Sequence, residues 1–97
     1  MRSSYDRAGP RARSFYEQGN RLIGENKAAA AVQELRRAIQ LEPKFGLAYR
    51  SMGVAYMMLA KEQSAIQAYQ KFVLYEPEHR DTARVRELIA AYFKRAK

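Results

Sequence analysis

Few residues in this chain could do covalent chemistry. It has no cysteine, one histidine (His79) and two aspartates, Asp6 and Asp81. Disulfides, thiolate nucleophiles and thiolate metal sites are therefore excluded. His79 lacks the companion ligands that a histidine-rich metal site requires, and no Ser–His–Asp set can be argued around one histidine beside Pro77. It reads as a solvated loop residue. The eight glutamates fall mostly on helical exteriors, and no pair is placed for acid–base work. There is no phosphate-cradling P-loop and no glycine-rich dinucleotide turn. The expectation is a non-enzyme with no catalytic residue, metal, cofactor or small-molecule substrate.

Arginine is the side chain left with binding chemistry, because a guanidinium can grip a carboxylate with two parallel hydrogen bonds. The chain carries 18 basic and 10 acidic side chains, a formal net charge of +8. The excess sits at the two ends. Residues 1–21 hold five basic and two acidic groups, residues 79–97 hold six and two, and the stretch between holds seven and six. A uniformly basic surface would suggest nucleic acid. Basic ends on a near-neutral middle suggest it less, and no basic run here is interleaved with aromatics and glycine.

The elements that position these groups follow from length and punctuation. The 97 residues fit one domain, and an apolar fraction of 47% is enough to fold it. No apolar run suits a secretory signal or a membrane span, so a cytoplasmic location is expected. Glu42-Pro43 recurs as Glu76-Pro77, and Gly19 recurs as Gly53 at the same separation. Phe15 pairs with Tyr49, Leu22 with Tyr56, Ala31 with Ala65, Leu35 with Tyr69, Ala38 with Phe72 and Ile39 with Val73 at that offset too. Such self-similarity marks stacked units, each of which covers its neighbour's apolar face.

Within each unit the apolar residues recur at helical spacing and good helix formers dominate. Prolines 43 and 77 cannot continue the helices before them. Helices are predicted at 12–25, 28–41, 46–59, 62–75 and 81–96, after a flexible, aperiodic lead-in over 1–11. Gly19 and Gly53 fall where the two helices of a pair must approach closely, opposite the small Ala31 and Ala65. Tyr49, Tyr56 and Tyr69 are large enough to fill the gap between one pair and the next.

The pattern resembles the tetratricopeptide repeat (TPR) family, whose unit is a helix pair of about 34 residues. The first unit, 12–45, shows Phe15, Gly19, Leu22, Ala31, Leu35, Ala38 and Pro43. The second, 46–79, shows Tyr49, Met52, Gly53, Tyr56, Ala65, Tyr69, Phe72 and Pro77. Gln18 departs from the family's usual Leu. The resemblance covers 12–96 and implies an all-α fold: a short right-handed α-solenoid of two helix-turn-helix repeats plus a capping helix, five helices within a domain spanning 12–97. The last helix reads as out of register, because the repeat offset would bury Ala83, Glu87 and Ala90. A shift of two residues gives an apolar face of Val85, Leu88, Ile89 and Tyr92, with Asp81 as N-cap and Lys94, Arg95 and Lys97 favouring the C-terminal end of the dipole. The manner of ending also looks like that of bacterial family members.

The resemblance further implies a concave face lined by the first helix of each pair. By position it comprises Arg13, Tyr16, Asn20, Ile23 and Gly24 in the first unit, and Leu47, Arg50, Val54, Met57 and Met58 in the second. The shifted last helix adds Ala83, Arg86, Ala90 and Phe93. Arg50 and Arg86 could hold a carboxylate, while Leu47, Val54 and Met57 could take an apolar anchor. Family members that clamp chaperone tails place Lys, Asn, Asn, Lys and Arg at set slots. Only Asn20 matches here. Tyr16 and Ser51 stand at two of the others, so tight binding of such tails is not expected. The expected function is a protein-interaction adaptor or scaffold, within a larger bacterial protein or free, with an acidic or carboxylate-bearing protein or peptide partner. The alternatives are a homo-oligomer stacked through uncovered end faces and, with less support, nucleic-acid binding through the basic ends.

Overall fold

The computed structural model describes residues 3–96. Those residues form six helices and no strand: α1 (Ser4–Arg7), α2 (Pro10–Gly24), α3 (Ala28–Leu41), α4 (Gly46–Met58), α5 (Glu62–Tyr75) and α6 (Thr82–Arg95). The fold is all-α and solenoid-like. Helices α2 and α3 form one antiparallel hairpin, α4 and α5 a second, and α6 packs against α5.

Each hairpin is closed by the glycine–large residue contact that the sequence repeats. A Cβ on Gly19 would lie 2.6 Å from Leu35 Cγ, and one on Gly53 would lie 2.6 Å from Tyr69 Cδ1. Leu35 is fully buried and Tyr69 is 7% exposed. Burying a side chain of this size stabilises by about 1.5–3 kcal/mol, and only glycine opposite lets the helices close on it. One core cluster runs through Ala31, Leu35, Phe45, Ala48 and Met52, and the next through Ala65, Tyr69, Phe72 and Val85. Tyr49 and Tyr56 pack against both, so they join one pair to the next.

The turns inside the two hairpins are copies of each other. Asn26 and Ala60 hold equivalent places in the two units, and both take a left-handed backbone, with φ of 63° and 58°. In both turns the next amide reaches back to close the helix: Lys27 N–H to the Leu22 carbonyl at 2.8 Å and Lys61 N–H to the Tyr56 carbonyl at 2.9 Å. This is the usual glycine-type helix ending, made here without glycine.

Three expectations are corrected. The segment expected to be an aperiodic lead-in holds a one-turn helix from Ser4, closed by a reciprocal Ser3–Asp6 capping box, and both Ser4 and Ala8 are buried. Met1 and Arg2 of that segment lie outside the described residues, as does Lys97. The last helix packs through part of the apolar face expected of it, with Val85 buried and Ile89 against the second core cluster, but Leu88 is 38% exposed and the buried positions match the repeat register rather than one shifted by two. Thr82 and Val85 are buried, and they stand one repeat period after the buried Ala48 and Ser51. Ala83, Glu87 and Ala90 are exposed, because the slots they occupy face a following helix, and none packs there among the described residues. Finally, Asp81 sits at the N-cap of α6 but makes no side-chain cap. Its carboxylate is drawn to Arg50 instead, at 3.2 Å.

Candidate functional site

The first helices of the pairs, α2 and α4, lie side by side with α6 beyond α4, and their shared face carries most of the expected site. Tyr16, Asn20, Ile23 and Gly24 of α2 meet Arg50, Ser51 and Val54 of α4 around one hollow of about 350 Å³. Its floor is tied by Ser51 Oγ donating to Asn20 Oδ1 at 2.6 Å, which fixes the spacing of the two helices. A second, smaller hollow continues from it. Arg50 and Val54 line both, and Tyr69, Asp81, Arg84, Val85 and Leu88 complete the second. Met57 and Met58 stand exposed one turn further along α4.

Arg50 bridges the two hollows. Its guanidinium pairs with Asp81 while its side chain keeps 40% of its surface in solvent. An ion pair this exposed contributes at most about 1 kcal/mol, so an incoming carboxylate can compete with Asp81 for it. Burial pushes the Tyr69 hydroxyl pKa up, and the neighbouring Arg50 charge opposes that shift. Arg84 adds a second guanidinium to the same wall.

Arg86 and Ala90 line neither hollow. Both are exposed, and the in-register residues Asp81, Arg84 and Leu88 line the second hollow in their stead. Arg13, Tyr16 and Leu47 are in place but already in contact with the chain's own N-terminal turn. Arg13 lies 5.5 Å over the Tyr5 ring, Tyr16 packs on Tyr5 and on Phe45, and Leu47 N–H donates to Ser4 Oγ at 3.0 Å. Tyr5 in turn donates to Glu17 at 2.5 Å.

His79 is not the solvated loop residue expected. It is half-buried, packs edge-on against Phe72 with centroids 5.3 Å apart, and its Nδ1 accepts the Asp81 N–H at 3.0 Å. It stands one repeat period after the buried Phe45, so repeat position was the signal for its packing. Among the described residues no three His, Asp or Glu side chains converge into a metal site, and no helix is long and apolar enough to cross a membrane.

The repeated hairpins and their shared first-helix face define a class: this chain is a helical-repeat protein of the TPR-like family. Its sequence is similar to that of small glutamine-rich tetratricopeptide repeat-containing protein 2 of Mycosarcoma maydis, 36% identical over 57 residues, which is 59% of this chain and 16% of that protein. It is also similar to a UDP-N-acetylglucosamine–peptide N-acetylglucosaminyltransferase of Giardia intestinalis, 33% identical over 66 residues, 68% of this chain and 4% of that protein. The chain thus spans less than a fifth of the length of either relative. No family model matches it, and no solved structure matches it significantly.

Proposed function

We propose that this chain is a protein-interaction module that takes an apolar, carboxylate-bearing segment of a partner protein along the face shared by α2, α4 and α6. The observation that supports this most is the company Arg50 keeps. Val54, Met57, Met58 and Leu88 are large apolar side chains left 38–42% exposed on the two helices that flank its guanidinium. Exposed apolar residues gathered on one face mark interaction surfaces, and methionine adapts its shape to what it meets. A partner's apolar anchor lies on Val54 and Leu88, and its carboxylate takes Arg50 or Arg84. The division into a repeat over 12–45, a repeat over 46–79 and a closing helix over 81–96 belongs to this reading. So do the outlying Arg86 and Ala90, as contacts for a partner that extends past α6.

A photo-crosslinking residue placed singly at position 54, and at position 74 as control, tests the reading. Leu74 is 62% exposed but lies on α5, the second helix of its pair. Partners are expected to be captured from position 54 and not from 74. Equal capture from both positions refutes the assignment of the face.

A further inference from the structure

The N-terminal turn is held by contacts that no local rule requires. Ser4 N–H donates to Glu76 Oε1 at 2.6 Å, 72 residues away, and Ser4 Oγ accepts the N–H of Leu47. Leu47 is in the first turn of α4, a helix with no side-chain cap of its own, so Ser4 supplies from a distance what a neighbouring Ser or Asp usually supplies. Gly46 makes room for this. A Cβ there would meet Glu76 Cγ at 2.7 Å. Tyr5 then lays its ring on Arg13 and Tyr16. One turn of helix thereby spans the starts of α2 and α4 and the end of α5.

Tyr16 is shared. One part of it packs on Tyr5 and another lines the open hollow with Asn20 and Arg50. The turn therefore covers one end of the concave face and leaves the other end free. Its attachment combines the two hydrogen bonds of Ser4 with the buried Ala8 and the partly buried Tyr5 ring at the edge of the first core cluster, and it joins α2 through Gly9-Pro10.

We propose that residues 3–8 are an internal ligand of the concave face, exchangeable for an external segment of the same chemistry: a hydroxyl residue with a free backbone N–H, followed by an aromatic. This rests on the Tyr16 end of the proposed concave face being a binding surface. While the internal turn is seated, its high effective concentration keeps competitors out, and an external segment binds with an affinity reduced by the fraction of time the end stands open.

The test uses a fluorescein-labelled synthetic peptide of residues 1–9, added to full-length wild type and to a full-length Ser4→Pro/Tyr5→Ala variant whose fold is checked by circular dichroism. Proline at the first helical position is tolerated, but it removes both polar contacts of Ser4. The peptide is expected to bind the variant at least about tenfold more tightly than wild type by fluorescence anisotropy, and adding Arg13→Glu to the variant should weaken that binding. Equal affinity for both chains, or no binding to the folded variant, overturns the proposal. Should the variant not fold, hydrogen exchange on wild type decides. The Ser4 and Leu47 amides should share an opening far faster than that of Phe72 in the core. Protection of both at the level of Phe72 overturns the proposal. The failures are distinguishable: a partner set indifferent to Arg50 and Asn20 refutes the groove reading but leaves the peptide exchange standing, whereas failed exchange leaves the open hollow as the site.

Discussion

Replacing Gly53 with leucine tests whether the repeat's closest contact sets the stability of the second pair. Even the first added carbon would lie 2.6 Å from Cδ1 and 2.7 Å from Cζ of the Tyr69 ring, where carbon pairs rest at about 3.5–4.0 Å. The ring must retreat by about 1 Å to restore that separation. Retreat into the core is blocked by the fully buried Ala65 and Phe72 of the same cluster, so the ring can yield only outward, toward the hollow it lines with Arg50 and Leu88, at the cost of its own burial. Overpacking of this kind costs about 1–3 kcal/mol and sometimes more, and leucine's three further carbons place it at the upper end. Against this, removing glycine from a helix interior returns about 1 kcal/mol. The net loss is about 2 kcal/mol, which lowers the melting temperature by about 8–16 °C for a domain of this size. Urea and thermal melts followed by circular dichroism measure it, with Gly24→Ala as control, since nothing lies within 4 Å of a Cβ at Gly24. Gly53→Ala should fall between wild type and Gly53→Leu. A leucine variant that melts with wild type refutes the packing argument.

The other predictions concern single contacts. Ala60 holds a left-handed backbone, so Ala60→Gly should raise stability by about 0.5–1 kcal/mol after the extra flexibility of the unfolded chain is counted; a urea titration showing a loss contradicts it. Thr82 Oγ1 donates to the Glu76 carbonyl at 2.5 Å in a buried site, and the near-isosteric Thr82→Val should cost about 0.5–1.5 kcal/mol, the net worth of one hydrogen bond, because the carbonyl keeps only its 3.4 Å bond from the His79 N–H; urea melts again read it. Burial raises the hydroxyl pKa of Tyr49 and of Tyr69 above the ordinary 10.0. Below pH 10 both states hold these protons; as pH rises through the folded pKa the unfolded chain has already released them, so the stability they contribute is lost there. Tyr5 is raised as well, chiefly by its hydrogen bond to Glu17, so ultraviolet absorbance of the phenolate should show three tyrosines ionising late in the native protein and at the ordinary pH in urea, and a late phase reduced to one tyrosine in a Tyr49→Phe/Tyr69→Phe chain checks the assignment.

How much of this was legible in the sequence differs by residue. Pro43, Pro77, Gly19 and Gly53 announce helix ends and close approaches by their own backbone chemistry, and the helix bounds followed from them. Tyr16, Asn20, Ile23, Arg50 and Val54, named from their repeat positions, line one hollow, so their spatial grouping was legible; that a partner binds there is the proposal. The register of α6 was not legible, because a first helix has two buried faces and only one of them is covered here. Periodicity cannot say which, so Leu88 was assigned to the buried face and Arg86 and Ala90 to the concave one. The N-terminal turn was illegible for a different reason. Its order comes from Glu76 and Leu47, 72 and 43 residues away, and nothing in its local pattern encodes those partners. His79 and Ala60 had a readable signal in the positions one repeat period earlier, Phe45 and Asn26, where the same slots are buried and left-handed.

The central claim is that the face around Arg50 holds the partner. It is tested most directly by a quantitative pull-down comparing wild type with an Asn20→Ala/Arg50→Glu chain of equal melting temperature, and with an Arg37→Glu chain altered on α3 outside that face. Partners enriched by wild type and by the Arg37→Glu chain, but lost from the Asn20→Ala/Arg50→Glu chain, are the predicted result. The same partners returning with all three chains would contradict it.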